Sequence, residues 1–157
     1  MKAIVVFVNL IAFPGSCFAE NLLTVYYEQS MRIPNNRVVV AIDAPQKLTL
    51  RTEFKDGMRK ETTLELFPAS IEELRHKLEK TDWNKARRDK VSGLDGAKVR
   101  ILYQGREISL WSPDHDTEKR GLETTQSLVR KVFGLAGLDG AGMPAKPKGG
   151  KAWREIR

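Results

Sequence analysis

The densest group of metal-capable side chains lies at 114–118, where Asp114, His115 and Asp116 precede Glu118. Carboxylates and a histidine on neighbouring loop residues can converge on an ion such as Zn²⁺ or Mn²⁺. The group has a single histidine, however, and two cationic residues follow it directly. Acidic residues at the start of a helix, where they complement the helix dipole, explain the pattern without a metal. No bound metal is therefore predicted, and a metal-assisted hydrolase that uses Asp114, His115 and Asp116 stays as an alternative.

Other catalytic patterns are missing from the sequence. It has no Gly-x-Ser-x-Gly motif, no glycine-rich loop with a following lysine after a predicted strand, and one cysteine, Cys17. These absences remove the common signatures of a seryl nucleophile, a phosphate-binding loop and a thiolate metal site. The sequence predicts no catalytic residue and no cofactor, and it favours a binding protein over an enzyme.

Positive charge is concentrated in the segment 84–106, which carries seven basic residues against two acidic ones, a formal charge of +5. Trp111 is expected beside Lys98 across a hairpin, so that an aromatic ring lies among the cations. This combination can bind acidic protein surfaces, phosphates, nucleic acid or anionic lipid. A solvated basic loop is the alternative. The candidate binding residues are Arg87, Arg88, Lys98, Arg100, Arg106 and Trp111.

The first residues have the layout of a secretory signal peptide. Lys2 precedes an apolar run at 3–13, and Ala19 ends a Cys-Phe-Ala sequence. The run is about half of the ~20 residues that a membrane span needs, and its place behind one Lys is typical of an export signal. Cleavage after Ala19 predicts a periplasmic or secreted product. A lipoprotein acylated at Cys17 is the second option, although Pro14 stands where such a signal normally has an aliphatic residue.

Removal of this leader changes the composition. The net charge falls from +7 to +6 because Lys2 is lost, and the single cysteine is lost with it. The mature chain then has no disulfide and no thiol chemistry. An exported protein seldom meets nucleic acid, so we expect an acidic protein or an anionic envelope component as partner of the basic segment. Any contact with a membrane would be peripheral.

A first hairpin can be predicted together with its register. The runs 47–54 and 58–66 alternate apolar and charged residues around Lys55-Asp56-Gly57. A two-residue turn would mix apolar and charged side chains on one face, whereas a three-residue loop with Gly57 in the left-handed conformation keeps them apart. In this register the opposite charges pair across the strands, Glu53 with Arg59, Arg51 with Glu61 and Lys47 with Glu65.

Three more strand regions follow from alternation and from β-branched residues. The segments 22–29 and 37–42 are typical of buried strands. A second hairpin over 98–111 has a two-residue turn at Gln104-Gly105, which places its apolar residues on one face.

Two amphipathic helices are also predicted. The first covers 71–82, with Ser70 and Glu73 at capping-box spacing, and Trp83 packs inward at its end. The second ends near Leu135. The segments 84–96 and 113–119 are predicted to be loops.

This order of elements predicts an α+β domain, an antiparallel sheet of five or six strands with two hairpins and two amphipathic helices packed on one face. The domain covers 20–138, between the 1–19 signal peptide and a flexible basic tail at 139–157. We expect an exported binding protein that engages an acidic macromolecular partner through the basic segment, as an inhibitor or immunity-type protein would. The alternatives are the hydrolase and a peripheral envelope protein whose cationic tail binds lipid.

Overall fold

A computed structural model describes residues 21–29, 35–43, 46–54, 57–93, 95–139 and 153–155. The predicted signal peptide and most of the predicted tail lie outside these residues. The strands are β1 (Asn21–Gln29), β2 (Asn35–Asp43), β3 (Lys47–Phe54), β4 (Arg59–Leu66), β5 (Ala97–Tyr103), β6 (Arg106–Trp111) and β7 (Trp153–Glu155). The helices are α1 (Pro68–Lys80), α2 (Trp83–Arg88), α3 (Thr117–Arg120) and α4 (Glu123–Leu135). No described helix combines the length and the apolar character that a membrane crossing needs.

The seven strands form one sheet in the order β6-β5-β1-β2-β3-β4-β7, and all neighbouring pairs are antiparallel. The connection from β4 through α1 and α2 crosses the sheet and returns the chain beside β1, so that β5 and β6 form the edge farthest from β4. Helices α1 and α4 contact each other and bury their apolar sides with the sheet. This architecture confirms the predicted α+β fold.

Both hairpins have the predicted register. In β3–β4, Glu53 lies opposite Arg59 and Arg51 opposite Glu61, with Gly57 at a φ of +82°. In β5–β6, Gln104 and Gly105 have φ values of 49° and 69°. Positive φ at both central residues matches the right-handed twist of the paired strands. The alternation of apolar and polar residues was therefore sufficient to determine which side chains face each other.

The core lies between one face of the sheet and the two long helices. Alternate strand residues such as Val25, Val40 and Ile101 are fully buried there. Phe133 of α4, 1% exposed, packs edge-on against Tyr27 of β1 with ring centroids 5.4 Å apart. We call this face the helix side of the sheet. Its position decides which edge residues meet α2 and which lie on the opposite face.

Polar contacts join α1 to α4 at the rim of this core. The Lys77 ammonium donates to the Ser127 hydroxyl at 2.8 Å, and the Lys131 ammonium donates to the Glu73 carboxylate. This hydrogen bond from Lys131 lowers the pKa of Glu73 below its ordinary value. Because the Glu73 side chain is exposed, the pair contributes little stability.

The start of α1 differs from the prediction. The helix begins at Pro68, with Phe67 at the N-cap and no side-chain cap, so Ser70 is not the capping residue. Proline is favoured at the first helical position because its φ is already helical and its missing N–H would be unpaired there. The helix also ends at Lys80, two residues before the predicted end.

Both predicted loops contain short helices. Helix α2 starts at Trp83, one residue before the predicted loop 84–96, and continues into it. The helix is capped by the Asp82 carboxylate, which accepts from the Lys85 backbone N–H at 3.0 Å. Helix α3 is a single turn that begins inside the predicted loop 113–119 and ends one residue after it, at Arg120. Neither segment has the apolar periodicity of a longer helix, which is why the pattern did not reveal them.

The predicted tail includes a strand. Residues 153–155 form β7, which pairs antiparallel with β4, with Trp153 opposite Leu66. The backbone of β7 thereby covers an edge of the sheet whose N–H and C=O groups would otherwise be open for pairing.

The packing of Phe133 generates a stability prediction. Phe133→Ala should lower the free energy of unfolding by about 3–5 kcal/mol, because it removes a buried ring and leaves a cavity against Tyr27. Met58→Ala is the control, since Met58 is 62% exposed, and it should change stability by less than about 0.5 kcal/mol. Denaturant unfolding followed by circular dichroism measures both. Equal effects of the two substitutions would contradict the assigned core.

Candidate binding surface

Arg120 of α3 holds the edge of the sheet against α2. Its side chain is 8% exposed and forms a bidentate ion pair with Asp89, which is 5% exposed. All five N–H donors of the guanidinium have acceptors. They are the Asp89 Oδ1 and Oδ2 at 3.1 and 2.6 Å, and the backbone oxygens of Trp111, Ser112 and His115 at 2.8, 2.7 and 2.9 Å.

This ion pair changes the charge balance of the basic segment. Asp89 is one of the two acidic residues in 84–106, and its charge is cancelled inside the fold by an arginine from outside the segment. Seven basic side chains then remain against one exposed acid, Asp95. Asp89 therefore does not offset the exposed cations of the segment.

The helix side of the edge carries an aromatic stack. Trp83 and Arg87 are one turn apart on α2, so both face β5 and β6. The Trp83 ring stacks on Tyr103 with centroids 5.1 Å apart and an interplanar angle of 14°. The Trp83 indole N–H donates to the Leu78 carbonyl at 3.2 Å, which fixes the ring.

A small pocket opens beside this stack. It has a volume of about 50 Å³ and is lined by Trp83, Arg87, Tyr103, Gln104, Arg106 and Ile108. Arg106 shares the helix side with buried Ile108, because the two are separated by one residue on β6. The exposed guanidiniums of Arg87 and Arg106 form no ion pair with any residue that the structure describes.

Other predicted binding residues lie on the opposite face of the same edge. Lys98 is paired with Trp111 across the hairpin, as predicted. The Arg100 guanidinium lies 4.6 Å from the centroid of the Tyr26 ring and 3.8 Å from the Glu107 carboxylate. The predicted residues are thus divided between two faces, with Arg87 and Arg106 on the helix side.

The two remaining predicted residues, Arg88 and Trp111, differ in how exposed they are. Arg88 is exposed at the end of α2. The Trp111 ring is half-buried under the neighbouring loop, where a Cβ at Gly93 or Gly96 would collide with it. These glycines are therefore required for close packing on the indole, and Trp111 presents only part of its ring to a partner.

The acidic group at 114–116 is exposed and dispersed. His115 Nδ1 lies 3.6 Å from the Asp116 carboxylate, and the backbone oxygen of His115 accepts from Arg120. In the part of the chain that the structure describes, no three His, Cys, Asp or Glu side chains come close enough to hold an ion. Asp116 occupies the N-cap position of α3.

Trp83, Tyr103 and Gln104 line the pocket although they were not among the predicted binding residues. The sequence contained a signal for Trp83, because its spacing of four from Arg87 places both on one face of a helix, and a signal for Tyr103, because the predicted turn places it opposite Arg106. The signal for Trp83 could be used only if 83–88 was known to be helical, and the sequence pattern did not predict α2.

The role of Arg120 can be tested by substitution. Arg120→Ala should reduce the free energy of unfolding by about 3–5 kcal/mol, because it leaves the Asp89 carboxylate buried without its partner. Lys119→Ala, which removes an 81% exposed side chain next to it, should cost less than about 0.5 kcal/mol. Urea unfolding measures both variants.

A second pair of variants separates charge from geometry. Arg120→Lys keeps the charge but cannot fill five acceptors, so we expect it to remain clearly destabilised. In the Asp89→Ala/Arg120→Ala double variant the loss should be smaller than the sum of the single losses. Additive losses would contradict a direct Asp89–Arg120 interaction.

The comparisons with known proteins add no assignment to this geometry. No protein-family model matches the chain, and no curated protein matches it in sequence.

Proposed function

We propose that the protein is an exported binding protein that engages an acidic macromolecular partner through the β5–β6 edge. The observation that carries the proposal is a set of exposed cations without an acidic partner among the described residues. We call this set the edge surface. It consists of Lys85, Arg87, Arg88, Lys90, Lys98 and Arg106.

The arginines of β2, β3 and β4 are paired, in contrast to the edge surface. Arg51 donates to Glu61 at 2.8 Å, and this hydrogen bond raises the pKa of the Arg51 guanidinium above its ordinary value. Arg37 lies 3.7 Å from Glu28 and 3.6 Å from Glu53. The cations of the edge surface, in contrast, are not neutralised by acidic side chains among the described residues, so their charge would attract an acidic surface.

The neighbouring aromatic residues support binding over simple solvation. Trp83, Tyr103 and Trp111 are all half-buried beside the cations, each with part of its surface still accessible. Binding sites between proteins are enriched in Trp, Tyr and Arg, which combine contact area with hydrogen bonding. An inhibitor or immunity-type protein is one form that such a binding protein would take.

Charge reversal tests the proposal. Arg87→Glu, Arg88→Glu and Arg106→Glu together should abolish capture of acidic proteins from an envelope extract, because they replace attraction by repulsion at the edge surface. The control combines Lys60→Glu, Lys80→Glu and Arg130→Glu, which changes the net charge equally at exposed positions outside the edge surface. The control should retain the captured proteins.

The captured material is identified by mass spectrometry, with anionic lipid vesicles assayed in parallel. Loss with the edge triple and retention with the control supports the proposal. An unchanged list of captured proteins after charge reversal of the edge surface would refute the proposal. Equal losses from both triple variants would show that capture depends on net charge alone and would also refute the edge surface as the binding site. Binding to vesicles alone would replace the protein partner by a lipid surface.

A further inference from the structure

We infer that the pocket beside the Trp83–Tyr103 stack binds a single glutamate side chain of the acidic partner, with its carboxylate between Arg87 and Arg106. This inference rests on the proposed function and deepens it, because it names the group that the edge surface recognises. It depends on three properties of the pocket, namely its size, its donors and its apolar lining.

The size of the pocket excludes a large ligand. Its volume of about 50 Å³ exceeds the ~10–15 Å³ that a cavity needs to hold one water and is far below the ~300–1,000 Å³ of a small-molecule site. A pocket of this size accepts the end of one side chain. It therefore suits an anchor for a macromolecular partner.

The donors select a planar anion. Arg87 and Arg106 both line the pocket, and neither has an acidic partner among the residues described. The Tyr103 hydroxyl accepts a hydrogen bond from the Gln104 amide nitrogen at 3.2 Å, which leaves its own proton available to a ligand. Two guanidinium forks match the two oxygens of a carboxylate, and such charge-assisted hydrogen bonds are the strong ones.

The apolar lining selects glutamate among the anionic groups. Ile108 is 5% exposed at the pocket, and the Trp83–Tyr103 stack forms another part of its wall. Apolar and aromatic surfaces pack favourably against methylene groups, and glutamate has one more methylene than aspartate. A phosphorylated side chain places three oxygens and a second charge where the wall is apolar, so it fits less well.

The test uses blocked hexapeptides of glutamate, aspartate and phosphoserine at about 0.15 M salt, where exposed charges are screened beyond ~8 Å. The Trp83 indole N–H resonance reports binding in an NMR titration. Hexaglutamate should shift this resonance and bind more tightly than the other two peptides.

Conservative variants separate the pocket from the rest of the edge surface. Arg87→Lys/Arg106→Lys keeps the charge and removes both forks, so the hexaglutamate Kd should rise about tenfold. Arg88→Lys/Lys90→Arg exchanges cations outside the pocket and should leave the Kd within about twofold. Both double variants keep the net charge, and thermal unfolding confirms that they remain folded.

Each outcome bears on the inference separately from the proposed function. Unchanged binding by Arg87→Lys/Arg106→Lys would overturn the glutamate pocket and leave the edge surface as a basic surface that binds acidic groups in general. Tighter binding of phosphoserine would overturn the choice of glutamate. If no peptide binds while charge reversal still abolishes capture from the extract, the pocket is refuted and the proposed function stands; if the capture is also unchanged, both fail.

Discussion

The complete use of the Arg120 donors is the constraint on which the β5–β6 edge depends. The guanidinium joins the residue that follows α2 to the last residue of β6 and to two residues of the loop after it. Ser112 and Asp116 in that chain have positive φ values, 37° and 51°, which cost of order 1–3 kcal/mol each for residues other than glycine. Such conformations persist because Arg120 bonds the carbonyls around them. The same contacts hold the end of α2 in place. Arg120 therefore helps to position Trp83 and Arg87, although Arg120 itself is not part of the edge surface.

The two-residue period of the strands then decides how the cations are distributed. On β5 the cations Lys98 and Arg100 alternate with buried Val99, so they face away from the helices. On β6 the cation Arg106 shares the parity of Ile108 and faces α2. Strand β5 therefore supplies cations to one face of this edge, and β6 supplies a cation to the other face. The helix side has α2 above it, and there two arginines and an aromatic stack line a pocket.

The parts of the structure that could be predicted from the sequence are those set by local alternation. The register of β3–β4 followed from Gly57 and the charge pairs across the strands, and the turn at Gln104-Gly105 set that of β5–β6. The Arg120–Asp89 pair could not be predicted, because it joins residues 31 positions apart that both look like ordinary surface charges. Helix α2, which supplies Trp83 and Arg87 to the pocket, ends beside that pair. The lining of the pocket was therefore not predictable from the sequence, even though Arg87 and Arg106 were identified as candidates.

The division between outer cations and pocket has a consequence for how binding would proceed. Exposed lysines such as Lys90 and Lys98 act at a distance, and they raise the rate of encounter while each contributes only about 0–1 kcal/mol in screened solution. A carboxylate held between two guanidiniums against an apolar wall is partly removed from water. Loss of this contact would therefore act mainly by raising the dissociation rate. The salt dependence of association would then follow the whole edge surface. The lifetime of the complex would depend on how firmly Arg87 is held in position. Arg87 lies on α2, and α2 is held by the Trp83–Tyr103 stack and by Arg120.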